Sequence, residues 1–211
     1  MIGRPAATGP SGTDTGTVSV FAVESGTRLR ILEATYACVA RWGLSKTTVE
    51  DAAREAGLSR ATVYRYFPGG RDELVAAVVS WQYVEFFTRL YEEVLDATSL
   101  EEVLERGLLF ARRAVLEHEV LQKVLQTEPE VLLPQLTLQS NRTIAAIATF
   151  LEPYLVRHPL AEGVDVHEAA DFLARMILTY IASPGHWDMS DAGQVAALVR
   201  TELLAGVVAP A

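Results

Sequence analysis

Ten side chains between Lys46 and Arg71 share one kind of chemistry: Lys46, Thr47, Thr48, Ser59, Arg60, Thr62, Tyr64, Arg65, Tyr66 and Arg71. All donate hydrogen bonds, and four are cations. Arginine pairs bidentately with a guanine edge or holds a phosphate. Threonine contacts a base or a thymine methyl, while lysine and tyrosine serve phosphate oxygens. In this pattern Ser59, Arg60 and Thr62 suit base edges, and Lys46, Thr47, Thr48, Tyr64, Tyr66 and Arg71 suit phosphates. Their spacing places Ser59, Arg60, Thr62, Tyr64 and Arg65 on the outward side of one short helix, a shape that enters a DNA major groove. An ordinary helical hairpin with a solvated charged face has the same composition, and spacing alone leaves both readings open.

Two helices must position these groups. Val49, Ala52, Ala53 and Ala56 recur at i, i+3, i+4 and i+7, one apolar stripe. Thr48 is placed to cap that helix, with Glu50 and Asp51 near its positive end. Gly57 follows the last periodic residue, where the chain needs a positive φ. Ser59 caps the next helix, which Pro68 and the glycines end. The turn Gly57-Leu58-Ser59 has helix-turn-helix length, with Leu58 tucked between the helices.

The wider segment closely resembles the DNA-binding domain of the TetR/AcrR family of transcriptional regulators. The likeness runs through Arg30-Ile31-Leu32-Glu33-Ala34 and Trp42-Gly43, then Thr47 to Ala53 and Ala56-Gly57-Leu58-Ser59. It continues with Thr62-Val63-Tyr64-Arg65-Tyr66-Phe67 and ends at Asp72-Glu73-Leu74. One departure stands out: Pro68-Gly69-Gly70 lengthens the link that follows Phe67, and Arg71 takes the place of the lysine that usually opens the fourth helix.

The chain is read as all-helical, with no alternating strand pattern and no internal repeat. Residues 1–25, rich in Gly, Thr, Ser, Pro and Ala, read as a disordered tail. Residues 26–71 read as the DNA-binding domain and 72–211 as a helical body for ligand binding and dimerisation. The first helix is expected from about Gly26 to Trp42. A fourth starts near Arg71 and Asp72 and continues past Trp81, and a fifth opens after Thr98-Ser99. Further helices are expected at about 117–127, 129–137, 140–157, 166–183 and 191–207, punctuated by Pro129, Pro134, Pro159 and Pro184. In the loop Pro184–Asp188, Asp188 or Ser190 is the expected cap of the last helix.

Charge divides the chain in the same way. Residues 28–71 hold eight basic and four acidic side chains, or +4, and the rest carries −13 of the net −9. A basic head on an acidic body favours phosphate at one place only. The single cysteine, Cys38, falls among apolar neighbours on the first helix and reads as a small core residue. Without a second cysteine no internal disulfide forms, consistent with the cytoplasm. No apolar run approaches a membrane span, and no secretion signal is evident.

The resemblance implies a homodimer built through the last two long helices, 166–183 and 191–207. Ala169, Ala170, Leu173, Ile177, Tyr180 and Ile181 face one way on the first; Val195, Leu198, Val199 and Leu203 do so on the second. An intermolecular four-helix bundle and an intramolecular core both fit these stripes. The resemblance also implies a small-molecule pocket, for which the candidates are Phe86, Phe87, Phe110, His118, Leu121, Gln122, Leu125, Asn141, Ile144, Met176 and Tyr180. Trp81 and Tyr83 are further walls. An apolar, aromatic or acyl-chain-bearing effector suits them.

Enzymatic chemistry finds no support. His118, His158, His167 and His186 lack metal-ligand spacing, and neither a phosphate-binding glycine loop nor a nucleophile elbow occurs. No cofactor is expected. The reading is a DNA-binding regulator, a repressor released from a palindromic double-stranded operator by its effector. The alternative is a helical small-molecule binding or interaction protein without specific DNA binding.

Overall fold

Helix α2 (Val49–Glu55) opens on a reciprocal cap: the Thr48 hydroxyl accepts from the Asp51 N–H at 3.1 Å, and Asp51 accepts from the Thr48 N–H at 3.3 Å. Helix α3 (Arg60–Tyr66) starts in the same manner, with Ser59 Oγ accepting from the Thr62 N–H at 3.1 Å. Between them Gly57 has φ +63 and Leu58 packs half-buried against both helices. These are the ends and the turn that the residue types prescribe. The computed structural model describes residues 26–209, without the side chains of Gln135, Thr137, Leu138 and Gln139. The N-terminal segment read as a tail lies outside the described residues.

Before this pair runs α1 (Gly26–Trp42), and after it α4 (Gly70–Val94). Ile31 and Leu32 of α1, Val49, Ala52 and Ala53 of α2, Val63 and Phe67, and Leu74 and Val78 of α4 make one buried cluster. The head is therefore closed by the first turns of α4, which continues without a break into the body. The body adds α5 (Leu100–Glu117), α6 (Glu119–Thr127), α7 (Pro129–Leu155), α8 (Val166–Ala182) and α9 (Ala192–Leu198). The last of these ends in a π-helical turn over Val199–Leu203.

Three expectations change. The segments 129–137 and 140–157 are one helix, with Pro134 and Pro153 inside it. Pro134 lies in the second turn, where the backbone partner it denies is close to the free helix start. The last helix stops at Leu203 instead of 207, and its cap is Asp191, which accepts from the Gln194 N–H at 2.9 Å. Asp188 instead closes its own turn by accepting from the Ser190 N–H and hydroxyl at 2.9 and 2.6 Å.

Most of the apolar stripes of α8 and α9 is buried inside the chain, with Ile177, Tyr180 and Ile181 only half-buried. Ala170, Leu173, Val195, Leu198, Val199 and Leu203 are all 0% exposed, in one cluster with Leu100, Leu104 and Leu108 of α5 and Leu151 and Leu155 of α7. Residues 207–209 fold back across the α7–α8 connection: the Ala161 N–H donates to Val207 O at 3.0 Å and the Ala209 N–H to Pro159 O at 2.8 Å. Among the described residues no helix is long and apolar enough to cross a membrane.

A candidate nucleic-acid interface

Helix α3 shows solvent one face, made of Arg60, Ala61, Tyr64 and Arg65, and turns Val63 fully inward. Arg60 is held from two sides. Its guanidinium pairs with Glu50 of α2 at 2.6 Å and lies 5.4 Å from the Tyr64 ring centre. Arg65 stands over Tyr66 at 5.3 Å. Ala61, absent from the sequence-derived candidates, adds an exposed methyl to this face, a group that packs on thymine. Its only signal in the sequence is its place between Arg60 and Thr62, obscured because alanine reads as core.

The other candidates divide by environment. Lys46, Thr48 and Ser59 are exposed, the last two spending their hydroxyls on helix caps. Thr62 is half-buried, with its hydroxyl 2.9 Å from that of Ser59. Thr47 is 1% exposed and donates to Gly43 O at 2.7 Å. Tyr66 packs half-buried against the head core. Arg71 turns back into the head: Nη2 donates to Leu44 O at 2.7 Å and Nε to Thr47 O at 3.1 Å. One arginine thus pins the α1–α2 turn, which carries Lys46 and Thr48.

The lengthened link makes this reach possible. Gly70 starts α4 at φ +68, a left-handed conformation that glycine adopts without penalty. It is buried against Tyr64, whose ring carbon would lie 3.3 Å from any added Cβ. The Gly69 N–H donates to Glu73 Oε2 at 2.6 Å, fastening the new helix start.

Electrostatics at the head follow the caps. Hydrogen bonds from Thr48, together with Arg54, hold the Asp51 carboxyl below its ordinary range. Burial raises the Cys38 thiol, and nearby Glu55 and Asp51 add to the rise. That thiol is fully buried, as expected from its neighbours.

The body candidates fall into four places. Phe86, Phe87 and Phe110 join Tyr83 in an aromatic cluster of α4 and α5, with ring centres 4.7 to 5.9 Å apart. The Tyr83 hydroxyl is buried with no hydrogen-bond partner among the described residues, and burial raises its pKa strongly. On α6, His118 caps its own helix by accepting from the Leu121 N–H at 3.0 Å, Gln122 donates to Val115 O at 2.8 Å, and Leu121 and Leu125 pack toward the head. Asn141 and Ile144 line a groove of about 270 Å³ between α7 and α8. Met176 and Tyr180 lie against the body core, where Tyr180 donates to Glu202 and Trp187 Nε1 donates to the same carboxylate at 3.0 Å.

Comparison with known proteins agrees with this geometry. Residues 31–78 match the family described as bacterial regulatory proteins, tetR family. An uncharacterised HTH-type transcriptional regulator of Mycobacterium bovis is 33% identical over 84 residues, 40% of this chain and 42% of that one. One from Mycobacterium tuberculosis is 41% identical over 51 residues, 24% of this chain and 27% of the relative. The chain thus spans less than half the length of these curated relatives. Among solved structures, a TetR-family regulator from Mesorhizobium loti superposes with a TM-score of 0.62 at 18% identity, covering 88% of this chain and 100% of that one. The TetR family repressor AlkX from a Dietzia strain gives 0.58 at 22%, covering 86% and 97%.

The capped helix-turn-helix is the part that the chain shares with the HTH-type transcriptional regulators. Over residues 31–78 the chain matches the tetR family of bacterial regulatory proteins, and as a whole it shares the fold of solved TetR-family structures.

Proposed function

We propose that this protein is a cytoplasmic homodimeric repressor that leaves a palindromic operator when its body takes up an apolar or aromatic small molecule. The observation that carries the reading is the outward face of α3, where Arg60, Ala61, Tyr64 and Arg65 stand clear of the head core. Arg60 and Ala61 meet base edges. Lys46, Thr48, Tyr64 and Arg65 meet phosphates, and Ser59 and Thr62 set the start of the reading helix. A dimer doubles this modest contact on a symmetric site.

The second copy is assigned to the outer face of α8, since the inner faces of α8 and α9 are spent. Phe172 is 42% exposed there, with exposed Glu168 four residues before it and exposed Arg175 three residues after. Two antiparallel copies about a twofold axis at Phe172 bring each glutamate toward the other copy's arginine. The effector is assigned to the aromatic cluster, where the unpartnered Tyr83 hydroxyl calls for an acceptor. Solved structures of similar fold include one in complex with triclosan and one implicated in biodegradation of n-alkanes, both apolar chemistries.

A gel-shift titration with the duplex upstream of the chain's own coding sequence tests the reading. Binding should weaken with salt and fail in the Arg60→Ala, Arg65→Ala double variant. Salt-insensitive or absent binding by the intact protein would favour a binding module that does not read DNA.

A further inference from the structure

Between the end of α1, the α1–α2 turn and the junction of α6 with α7 lies a cleft of about 540 Å³. It shares no residue with the aromatic cluster of α4 and α5. Its wall includes the Trp42 indole, 40% exposed and 6.0 Å from the Arg41 guanidinium. Tryptophan is highly buried on average, and an indole that lines a recess offers a flat apolar surface to another ring. Leu44 and Val124, the chain neighbours of the lining residues Gly43 and Lys123, are buried together with Val39 and Leu132. The cleft is therefore backed by apolar core on the side of the protein.

Four charged groups line it, and two of them are already engaged. Arg41 is held bidentately by Glu55 at 2.8 and 2.9 Å. Glu128, the single residue between α6 and α7, accepts on Oε2 from the Ser45 N–H at 2.6 Å and the Ser45 hydroxyl at 2.7 Å. Its other oxygen lies against Gly43 so closely that a Cβ there would find no room. The remaining two are ammonium groups, Lys46 and Lys123, and neither is paired with a carboxylate among the described residues. Lys123 Nζ gives two of its three donors to Ala40 O at 2.8 Å and Arg41 O at 3.2 Å, which fixes it in place and leaves the third free. Cations in a recess with low-dielectric walls focus their field on an anion.

We propose that this cleft is a small-molecule site separate from the aromatic cluster, and that it takes a flat aromatic ring carrying a phosphate. The ring lies on Trp42, and Lys46 and Lys123 hold the phosphate. Near neutral pH a phosphate group carries about −1.5 to −2 charges on three acceptor oxygens. Two ammonium donors on different elements match that better than they match a single carboxylate. The assignment goes beyond the operator and effector reading and uses neither.

The test is fluorine NMR of the full chain labelled with fluorotryptophan, which gives a signal each for Trp42, Trp81 and Trp187. The signal lost in Trp42→Phe is that of Trp42. The probe is phenyl phosphate, with phenol and inorganic phosphate as its two halves. Phenyl phosphate should move the Trp42 signal saturably and leave the other two in place, while either half alone should bind at least about tenfold more weakly. Lys46→Met and Lys123→Met should each weaken binding by about tenfold, the share of one charge-assisted hydrogen bond in a partly wet site. Phenol that binds as well as phenyl phosphate would remove the anion from the site, and inorganic phosphate that does so would remove the ring; either overturns the proposal. A Trp42 signal that never saturates overturns it too, as does wild-type affinity in either lysine variant. A probe that moves Trp81 or Trp187 with Trp42 unmoved binds elsewhere and has the same force. If Lys123→Met does not fold, Lys46→Met decides alone, since its side chain is exposed.

Discussion

Replacing Arg71 by alanine separates a pin from a phosphate ligand. The side chain is 36% exposed and spans two carbonyls of the α1–α2 turn, at 2.7 and 3.1 Å. A hydrogen bond from a charged donor contributes about 1.5–3 kcal/mol when well shielded. At this exposure water replaces part of the loss, so about 2 kcal/mol for the two together is the reasoned figure. For a chain of this length that lowers the melting temperature by about 4–8 °C. Arg71→Lys keeps the charge but not the fork, and should recover little of that stability. The companion measurement is the dependence of DNA affinity on salt, followed by fluorescence anisotropy. Removing one cation that neutralises a phosphate flattens the log–log slope by about 0.9. Lys46→Ala should flatten it by that amount per head, while Arg71→Ala shifts affinity and leaves the slope unchanged. A flattened slope with an unchanged melting temperature would refute the pin and restore Arg71 to the phosphate surface.

Further outcomes are expected at four other positions. Gly70→Ala forces a left-handed conformation on a residue with a Cβ, costing about 1–2 kcal/mol, and pushes on the Tyr64 ring; it should reduce both stability and DNA binding. Gly57→Ala meets the same strain at φ +63 with nothing within 4 Å, so melting falls while binding per folded molecule is retained. Glu50→Gln releases Arg60 from its exposed partner and removes a negative charge from the reading face; gel shifts should show tighter binding at low salt, with the gain fading as salt rises. His118 titrates below its ordinary value of 6.5, chiefly through burial and further through Arg89. On acidification the unfolded chain therefore takes the proton first. Stability contributed at this site is full above pH 6.5 and declines as the pH falls toward the lowered folded value. His118→Asn keeps an acceptor for the Leu121 N–H and should remove that share of the pH dependence in thermal melts between about pH 5 and 7.5.

The head is legible in the sequence because its signals are local. Thr48, Gly57 and Ser59 act within a turn of where they stand, and the apolar period of Val49 to Ala56 needs only α2 itself. Arg71 reads by type as a cation near phosphates; its carbonyl partners lie 24 and 27 residues away and leave no local trace. The bonds from Glu128 to Ser45 and from Lys123 to Ala40 and Arg41 leave no local trace for the same reason, their partners lying 82 or 83 residues away. Pro134 reads as a breaker, yet the helix runs through it and through Pro153. The stripes of α8 and α9 are plainly apolar in sequence, but periodicity does not say whether a stripe faces its own chain or another copy. For Leu173, Val195, Leu198 and Leu203 the intramolecular reading holds.

The fold-back of residues 207–209 across the α7–α8 connection sets an order of events during synthesis. The head closes with Val78, whereas the body core includes Leu203, Leu204 and Val207. At ordinary translation rates the roughly 130 residues between these points take on the order of ten seconds to emerge. Through that interval the ribosome displays a finished head on an unfinished body, with α5 and α7 still lacking the residues that cover them. The α3 face assigned to DNA is thus complete before the body assigned to the effector, and the apolar faces waiting for α9 are what a chaperone meets first.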